Sequence, residues 1–215
     1  MSKRIRIGEI EMSYFPMFIE LNGKHCLVVG GGRIALRKVE VLKEFGAQIQ
    51  VIAPELSSEI QKIEGIFCCK RYFQQEDLND QELVIAATDD PIQNHQISQA
   101  CKKKKIPVNV VDQIEDCSFI FPAYCKEKEI VAAFSSGGQS PVITQYLKSQ
   151  MSPIITPYLG ELAACFGSLR EKMKQCTSSE KERKKIYQEL LRLGLEHDTI
   201  PSEKEIEQVI GKYKR

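Results

Sequence analysis

Three consecutive glycines, Gly30-Gly31-Gly32, stand between an apolar run and a segment whose apolar residues recur at helical spacing. The apolar run is Cys26–Val29, the helical segment closes at Gly46, and a second β-branched run follows at residues 49–52. Short apolar runs favour strands and a 3.6-residue period favours a helix, so this order predicts strand, turn, helix, strand. Such a βαβ unit predicts an α/β protein with a Rossmann-like parallel sheet.

The glycines also form a motif, because residues 30–35 read GGGRIA and match G-x-G-x-x-G/A. The first glycine allows a tight turn, the second lets the backbone approach a pyrophosphate, and Ala35 lets the helix pack closely on the strand. The helix N-terminus supplies N–H groups and the positive end of a dipole. A glycine-rich turn that binds nothing is the alternative. The candidate cofactor-binding residues here are Gly30, Gly31, Gly32, Arg33 and Ile34.

The acidic residue that usually holds the ribose hydroxyls, about 20 positions after the glycines, is missing. Ala53-Pro54 end the second predicted strand, and Glu55 stands just beyond them. Pro54 and Glu55 are therefore the cofactor-binding candidates on this side, and either Glu55 or backbone groups hold the ribose. No arginine follows closely to bind a 2′-phosphate, which favours NAD over NADP.

Two further strands are predicted to end at the same edge of the sheet. Residues 83–87 form a continuous apolar run, typical of a central parallel strand, and lead into Thr88-Asp89. The strand at residues 106–111 contains Asn109 and ends at Asp112. Ligands of open parallel sheets bind at the carboxyl ends of the strands, so these loops are expected to converge with the glycine turn in one crevice.

The pattern changes after residue 113. Segments 118–121 and 129–134 have the composition of antiparallel strands, and an apolar segment at 14–19 is expected to lie against the sheet edge. The other helices are predicted at about residues 91–104, 142–151, 157–176, 178–193 and 202–213. The expected division is an NAD-binding domain at 1–113, a small α+β dimerisation segment at 114–152 and a helical C-terminal module at 153–215.

Composition excludes several classes of protein. The formal net charge of the 215 residues is +1, so no overall field favours nucleic acid or a membrane surface. No apolar run is long enough to span a bilayer and no secretory signal opens the chain, so a cytoplasmic location is expected. The eight cysteines include no C-x-x-C pair, so they are expected to be buried small apolar residues and no metal site is assigned.

Four motifs in this order resemble one family: VVGGGRIALRK, AATDDPIQN, VNVVDQIEDCSFIFPA and FSSGGQSPVITQYL. They are similar to the precorrin-2 dehydrogenase and sirohydrochlorin ferrochelatase family, which includes the N-terminal part of siroheme synthase and stand-alone dehydrogenases. The resemblance covers about residues 14–195. It implies NAD-dependent oxidation of precorrin-2 to sirohydrochlorin, Fe²⁺ insertion to give siroheme in some members, and an intertwined homodimer with contacts in its middle segment.

Asp112 is the candidate catalytic residue. A carboxylate at the end of a parallel strand faces the crevice, and a dehydrogenation that passes a hydride to nicotinamide must also release a proton. A carboxylate could equally take pyrrole protons as iron enters, and a turn-capping aspartate is the structural alternative. By resemblance, Asp112 occupies the catalytic aspartate position of the family.

The other candidate residues depend more heavily on the resemblance. Ser135, Ser136 and Gly137 are expected near the tetrapyrrole, and Ser136 matches a serine that is phosphorylated in some relatives. Asn109 either orients Asp112 beside the substrate or fills the core. Thr88 and Asp89 are expected in the loop that passes the nicotinamide ribose. The alternative for Asp89 or Asp90 is a cap of the following helix with Pro91 at its first position, and the two roles are compatible.

The acidic substrate calls for cations around the site, and the sequence does not choose among them. The candidates are Arg33, Arg37, Lys38, Lys126, Lys128 and Lys148. An alternative function from another class is a regulatory Rossmann module that senses NAD without turnover.

Overall fold

The computed structural model describes residues 14–213, and the chain divides into two compact units, Met1–Phe121 and Pro122–Arg215. The outer limits of the expected domains, residues 1 and 215, lie outside the described residues. The boundaries expected at residues 113 and 152 stay predictions.

The first unit is an α/β sandwich around a five-stranded sheet of order β3-β2-β1-β4-β5, in which every neighbouring pair is parallel. This confirms the predicted Rossmann-like fold. Its strands and helices are β1 His25–Val29, α1 Arg33–Glu44, β2 Gln48–Ala53, α2 Ser58–Gln61, β3 Ile66–Lys70, β4 Leu83–Ala86, α3 Pro91–Lys104 and β5 Val108–Val110.

The central strands are apolar throughout because both faces of the sheet are covered. Along β1, Cys26 and Val28 point into the core under α1, while Leu27 and Val29 point into the core under α3. The strand order reverses beside β1, since β2 lies on one side of it and β4 on the other. A reversal of this kind opens a crevice at the carboxyl ends of the strands, which is where ligands of such sheets bind.

The two long helices of this unit begin differently. Asp90 caps α3, its carboxylate accepting the Ile92 N–H at 2.9 Å, and Pro91 occupies the first helical position, as predicted. By contrast, α1 begins at Gly32 without a side-chain cap. The N–H groups of the first turn of α1 are thus free to bind a ligand.

The prediction of a strand at residues 118–121 is wrong. This segment runs past the edge strand β5 and bonds to it largely through side chains. The Ser118 hydroxyl accepts the Val108 N–H at 2.8 Å, and the Ser118 N–H donates to the Val108 carbonyl at 2.8 Å. A side chain that substitutes for a strand partner leaves no continuous ladder, so no sixth strand forms here.

The apolar segment at 14–19 also differs from expectation, because it does not lie against the sheet. Phe15 is 85% exposed, Met17 71% and Phe18 73%. The first residue of this stretch that packs on the core is Leu21, just before a turn in which the Gly23 N–H donates to the Gly46 carbonyl at 2.9 Å. The turn directs the chain into β1. Residues 15–20 are exposed, whereas Tyr14, at the start of the segment, is half-buried.

The second unit contains an antiparallel hairpin followed by helices. The hairpin pairs Ala123 with Phe134 and Glu127 with Ile130, and Lys128 adopts a left-handed conformation (φ +53°) in its turn. The elements are β6 Ala123–Glu127, β7 Ile130–Phe134, α4 Pro141–Met151, α5 Pro157–Ser168, α6 Arg170–Cys176, α7 Glu180–His197 and α8 Glu203–Gly211.

The single helix expected at 157–176 is in fact two, α5 and α6, which meet at Leu169. The Ser168 hydroxyl donates to the Cys165 carbonyl at 2.7 Å, the carbonyl that also accepts the Leu169 N–H at 3.2 Å. Ser149 makes the same kind of bond within the unbroken α4, so the Ser168 bond marks the junction and is not sufficient to cause it. The apolar periodicity continues through the junction, so the sequence pattern does not reveal the break.

No helix within residues 14–213 has both the length and the apolar character that a membrane span requires.

Replacing Ser118 tests the role of its hydroxyl at the edge of the sheet. Ser118→Ala is expected to lower the free energy of unfolding by about 1–3 kcal/mol, because the Val108 N–H loses its partner. Urea denaturation measures this change. Ser149→Ala is the control, because its exposed hydroxyl only donates to a carbonyl of its own helix; a loss below about 0.5 kcal/mol is expected there. Equal losses in the two variants would contradict the assignment.

Candidate functional site

A cavity of about 950 Å³ opens at the carboxyl ends of β1, β2 and β4. Its walls come from the loops that follow these three strands and from the segment after β3. The lining residues on which its chemistry depends are Gly30, Gly31, Gly32, Arg33, Ile34, Pro54, Glu55, Tyr72, Phe73, Thr88 and Asp89. The structure therefore brings all the predicted cofactor-binding residues together.

The first two glycines are required by neighbouring loops. Gly30 has φ +135°, and a β-carbon on it would lie 2.2 Å from the Ala87 carbonyl oxygen. A β-carbon on Gly31 would lie 1.9 Å from the Glu55 carbonyl oxygen, and the Gly31 carbonyl accepts the Ser57 N–H at 2.9 Å. The glycine at the variable position of the motif is thus explained by the close approach of the loop after β2.

Gly32 has a different role. A β-carbon built there would meet nothing within 4 Å, and the residue starts α1 without a side-chain cap. Gly32, Arg33 and Ile34 all line the cavity, so uncapped N–H groups of the first turn face open space. An anion such as a pyrophosphate fits this position, because it satisfies those N–H groups and the positive end of the helix dipole. Ala35 is fully buried against the sheet, as the motif predicts.

The charges around the cavity are arranged asymmetrically. Among the described residues that line it, Arg33 alone is basic, and it stands at the start of α1. Glu55 lines the cavity next to Pro54, and Asp89 and Asp90 are the other acidic residues of the lining. A carboxylate beside Pro54 suits ribose hydroxyls and repels a 2′-phosphate. Both alternatives left open for Glu55 are compatible with this geometry, since its backbone contacts Gly31 and its residue lines the cavity.

Two aromatic residues at the β3 side of the cavity were missed by sequence reasoning. Tyr72 lines the cavity and is 70% exposed, and Phe73 lies beside it, partly buried against the core. An exposed aromatic face can stack on a nucleotide base. The available signal was the Arg71-Tyr72-Phe73 sequence, which directly follows β3.

The Thr88 loop is held by a buried asparagine. The Thr88 hydroxyl donates to Asn94 Oδ1 at 2.7 Å, and Asn94 Nδ2 donates back to the Thr88 carbonyl at 3.1 Å. Asn94 is 3% exposed, so this pair is well shielded from water. Because Asp90 caps α3, Asp89 is left facing the cavity. Sequence reasoning missed Asn94, whose position in the first turns of α3 was the only signal.

Asp112 stands at the same edge of the sheet, in the turn after β5. It is exposed and adopts a left-handed conformation with φ +60°, which is uncommon for a residue other than glycine. The preceding residue, Val111, donates to the Ala86 carbonyl at 3.0 Å, which fixes the turn beside β4. The described residues that line the cavity do not include Asp112, so it stands beyond the nucleotide-sized space.

Asn109 is 7% exposed, and its amide donates to the Phe119 carbonyl at 3.1 Å and to Cys117 Sγ at 3.5 Å. Of the two readings left open, this geometry favours core filling, since the amide is bonded to the 117–119 segment. Contact between Asn109 and a substrate stays a prediction.

The turn that carries Asp112 is held at its far side by Asp116, which is buried. Asp116 accepts from His95 Nδ1 at 2.8 Å, and its backbone carbonyl accepts the Ser98 hydroxyl at 2.7 Å. Lys102 Nζ lies 3.8 Å from the same carboxylate. Sequence reasoning identified none of these contacts, because the residues are far apart in the chain.

Ser135, Ser136 and Gly137 lie in the second unit, in the turn before α4. Ser136 Oγ accepts the Ser140 N–H at 2.8 Å, and Ser135 Oγ accepts the Gly137 N–H at 3.0 Å. Gly137 has φ +64°, which suits a tight turn. Ser140 caps α4, its hydroxyl accepting the Ile143 N–H. The substrate-binding role of this turn stays a prediction.

Comparison with known proteins agrees with the geometry. A family model described as "Putative NAD(P)-binding" matches residues 17–123. The chain is 40% identical to the siroheme synthase of Nitrosospira multiformis over 187 residues, which is 84% of this chain and 40% of that protein. It is also 40% identical to the siroheme synthase of Photorhabdus laumondii over 181 residues, which is 83% of this chain and 38% of that protein. The chain thus spans about two fifths of the length of these relatives.

A solved structure extends the likeness to both units. The precorrin-2 dehydrogenase SirC matches with a TM-score of 0.74 at 26% identity, over 93% of this chain and 100% of SirC. The fold and cavity define a Rossmann-type dinucleotide-binding protein, which confirms the expected class of cofactor. Within that class, the chain belongs to the precorrin-2 dehydrogenase family, to which siroheme synthases are related.

Two glycine variants separate packing from ligand binding. Gly32→Ala is expected to leave the melting temperature unchanged and to weaken NADH binding about tenfold or more, because its methyl group enters the space for the pyrophosphate. Gly31→Ala is expected to lower the melting temperature, because its methyl group collides with the Glu55 carbonyl. Fluorescence titration with NADH and thermal unfolding measure the two effects. A Gly32→Ala protein that binds NADH normally would exclude a pyrophosphate at the start of α1.

Proposed function

We propose that this protein oxidises precorrin-2 to sirohydrochlorin with NAD as the hydride acceptor. The observation that carries the proposal is the match with a precorrin-2 dehydrogenase over that protein's whole length. The cavity also supports this proposal, because the residues that line it suit a bound dinucleotide.

The residues that would hold NAD follow from the walls of the cavity. The first turn of α1 and Arg33 bind the pyrophosphate, and Glu55 or the neighbouring backbone binds the adenosine ribose. Tyr72 and Phe73 offer aromatic surface to the adenine, and the Thr88 loop lies towards the nicotinamide. Bound NAD supplies the hydride acceptor. The acidic lining at Glu55 supports NAD over NADP.

Asp112 is the proposed proton acceptor. When a CH–CH bond is oxidised, one hydrogen leaves as a hydride and another leaves as a proton, so a base must stand beside the substrate. Asp112 is exposed at the edge of the sheet where the cofactor cavity opens, and the bonds around Val111 and Asp116 stabilise its turn. A left-handed aspartate costs of order 1 kcal/mol, and such outliers cluster at functional sites.

Insertion of Fe²⁺ into sirohydrochlorin, a lyase activity, is the second candidate. The names of the relatives favour it, because siroheme is the iron-containing product. Asp112 would take pyrrole protons in that reaction. An NAD-sensing module without turnover is the alternative from another class. We also propose that the protein is cytoplasmic. Asn109 and the Ser135-Ser136-Gly137 turn are proposed to contact the substrate.

One anaerobic assay tests these alternatives in sequence. Precorrin-2 and NAD are added to the protein, NADH is followed by its absorbance, and Fe²⁺ is then added while the tetrapyrrole spectrum is recorded. NADH formation is expected. If no NADH forms, the NAD-sensing module without turnover becomes the favoured function. Siroheme formation faster than in a protein-free blank would establish the second activity.

Asp112→Asn tests the proton acceptor without disturbing the turn, because asparagine tolerates the left-handed conformation. We expect kcat for NADH formation to fall by about 10²-fold or more, with NADH affinity unchanged. Asp80→Asn is a matched control, since Asp80 is also left-handed (φ +59°) and exposed but precedes β4, at the opposite edge of the sheet. Normal turnover by Asp112→Asn would remove Asp112 from the chemistry.

A homodimer is also proposed, in line with the resemblance. Helix α4 supports it by presenting apolar side chains that are exposed in the single chain: Val142 at 78%, Ile143 at 56% and Tyr146 at 60%. Sedimentation velocity at micromolar concentration is expected to give a dimer, and Val142→Glu combined with Tyr146→Glu is expected to shift it towards monomer. A wild-type monomer at that concentration would overturn this part of the proposal.

A further inference from the structure

Lys38 lies on the same face of α1 as a residue of the cofactor cavity. It follows Ile34 by four positions, and Ile34 lines the cavity with 42% of its surface exposed. Residues four apart on a helix are neighbours, and helical side chains point towards the N-terminus. Lys38 therefore lies one helical turn from Ile34, although it is not itself among the residues that line the cavity.

The surroundings of the Lys38 ammonium group are unusual for a lysine. Nζ lies 3.7 Å from the centroid of the Phe121 ring, and the residue is half-buried. Within the part of the chain that the structure describes, no carboxylate forms an ion pair with Lys38. Two other lysines of the first unit do have carboxylate partners: Lys24 pairs with Glu82, and Lys102 with Asp116. Among residues 14–213, Lys38 is thus a half-buried cation without an anion.

The ring beneath Lys38 leaves its donors free. Phe121 is held by Phe119, with ring centroids 5.6 Å apart, and both pack on the core under α1. An aromatic face attracts an ammonium group but accepts no conventional hydrogen bond, so the N–H donors of Lys38 remain available. Partial burial strengthens the attraction of this charge for an anion, because water screens it less.

We propose that Lys38 binds a carboxylate of the tetrapyrrole substrate. The inference rests on the proposed function, since that substrate carries several carboxylates. Among the basic residues that the sequence left as alternatives, Lys38 is the one that combines partial burial, a supporting ring and proximity to Ile34. It acts as a substrate-positioning cation and takes no part in hydride or proton transfer.

The pH dependence of binding provides an additional test. Burial lowers the pKa of Lys38 to about 8, an effect that the nearby Cys117 partly opposes. Burial raises the pKa of Cys117 itself, and the pKa of Tyr14, beside Cys117, is raised in the same way. Near pH 8, therefore, Lys38 is the group in this cluster that changes charge. It is positive below its pKa, so substrate affinity is expected to fall as the pH rises through that value.

Lys38→Met, Lys38→Arg and Lys43→Met separate charge from packing. Lys43 lies on the same helix, where its ammonium group donates to the Glu64 carbonyl, and provides the control. Lys38→Met is expected to raise KM for precorrin-2 about tenfold or more, with kcat and NADH affinity little changed. Lys38→Arg should retain a low KM and lose the rise in KM above pH 8. An unchanged KM in Lys38→Met, with wild-type turnover intact, would overturn the proposal and leave the dehydrogenase assignment standing.

A second measurement does not depend on turnover or on the folding of a variant. Wild-type protein is acetylated with trace acetic anhydride across pH 6–10, with and without sirohydrochlorin, and each lysine is quantified by mass spectrometry. Lys38 is expected to react with a midpoint near pH 8 and to be protected by the tetrapyrrole, while Lys43 is not protected. Equal labelling of Lys38 with and without sirohydrochlorin would overturn the proposal.

Discussion

The carbonyl oxygens of Ala87 and Glu55 occupy the space that side chains at Gly30 and Gly31 would need. This close approach joins the loops after β1, β2 and β4, and it sets the walls of the cavity through the backbone. The next residue, Gly32, directly precedes α1, provides no side-chain cap and has open space beside it. The proposed anion site thus lies beside the point where the neighbouring loops meet.

A second constraint acts at the other side of the sheet, where β5 is a short edge strand. Its backbone is bonded by Ser118, and the Asn109 amide holds the segment that follows. These bonds wrap the chain around the edge and bring Phe121 beneath Lys38. The contact between Asp116 and His95 holds the intervening turn, which presents Asp112. The positions of Asp112, the proposed proton acceptor, and of Lys38, the proposed substrate cation, thus both depend on how the chain packs around β5.

Sequence reasoning identified the βαβ unit, the glycine turn, the Asp90 cap and the family, because each is a local pattern. It was wrong at residues 14–19, at residues 118–121 and in the single helix at 157–176. The first two depended on packing and on bonds from side chains to the backbone. The third depended on a local change of the backbone at Leu169, through which the apolar period continues. Asn94 and Asp116 were missed because a buried polar residue resembles an exposed one in a sequence.

The sequence by itself determined the order of strands and helices, the position of the glycine turn and the class of cofactor. These follow from residue spacing and from backbone conformations that glycine and proline favour locally. Only the tertiary structure decided which loops meet at Gly31, where Tyr72 stands, and which cation is partly removed from water and placed over an aromatic ring. Burial and electrostatic environment are set by residues distant in the chain, as Phe121 is from Lys38, and only folding brings them together.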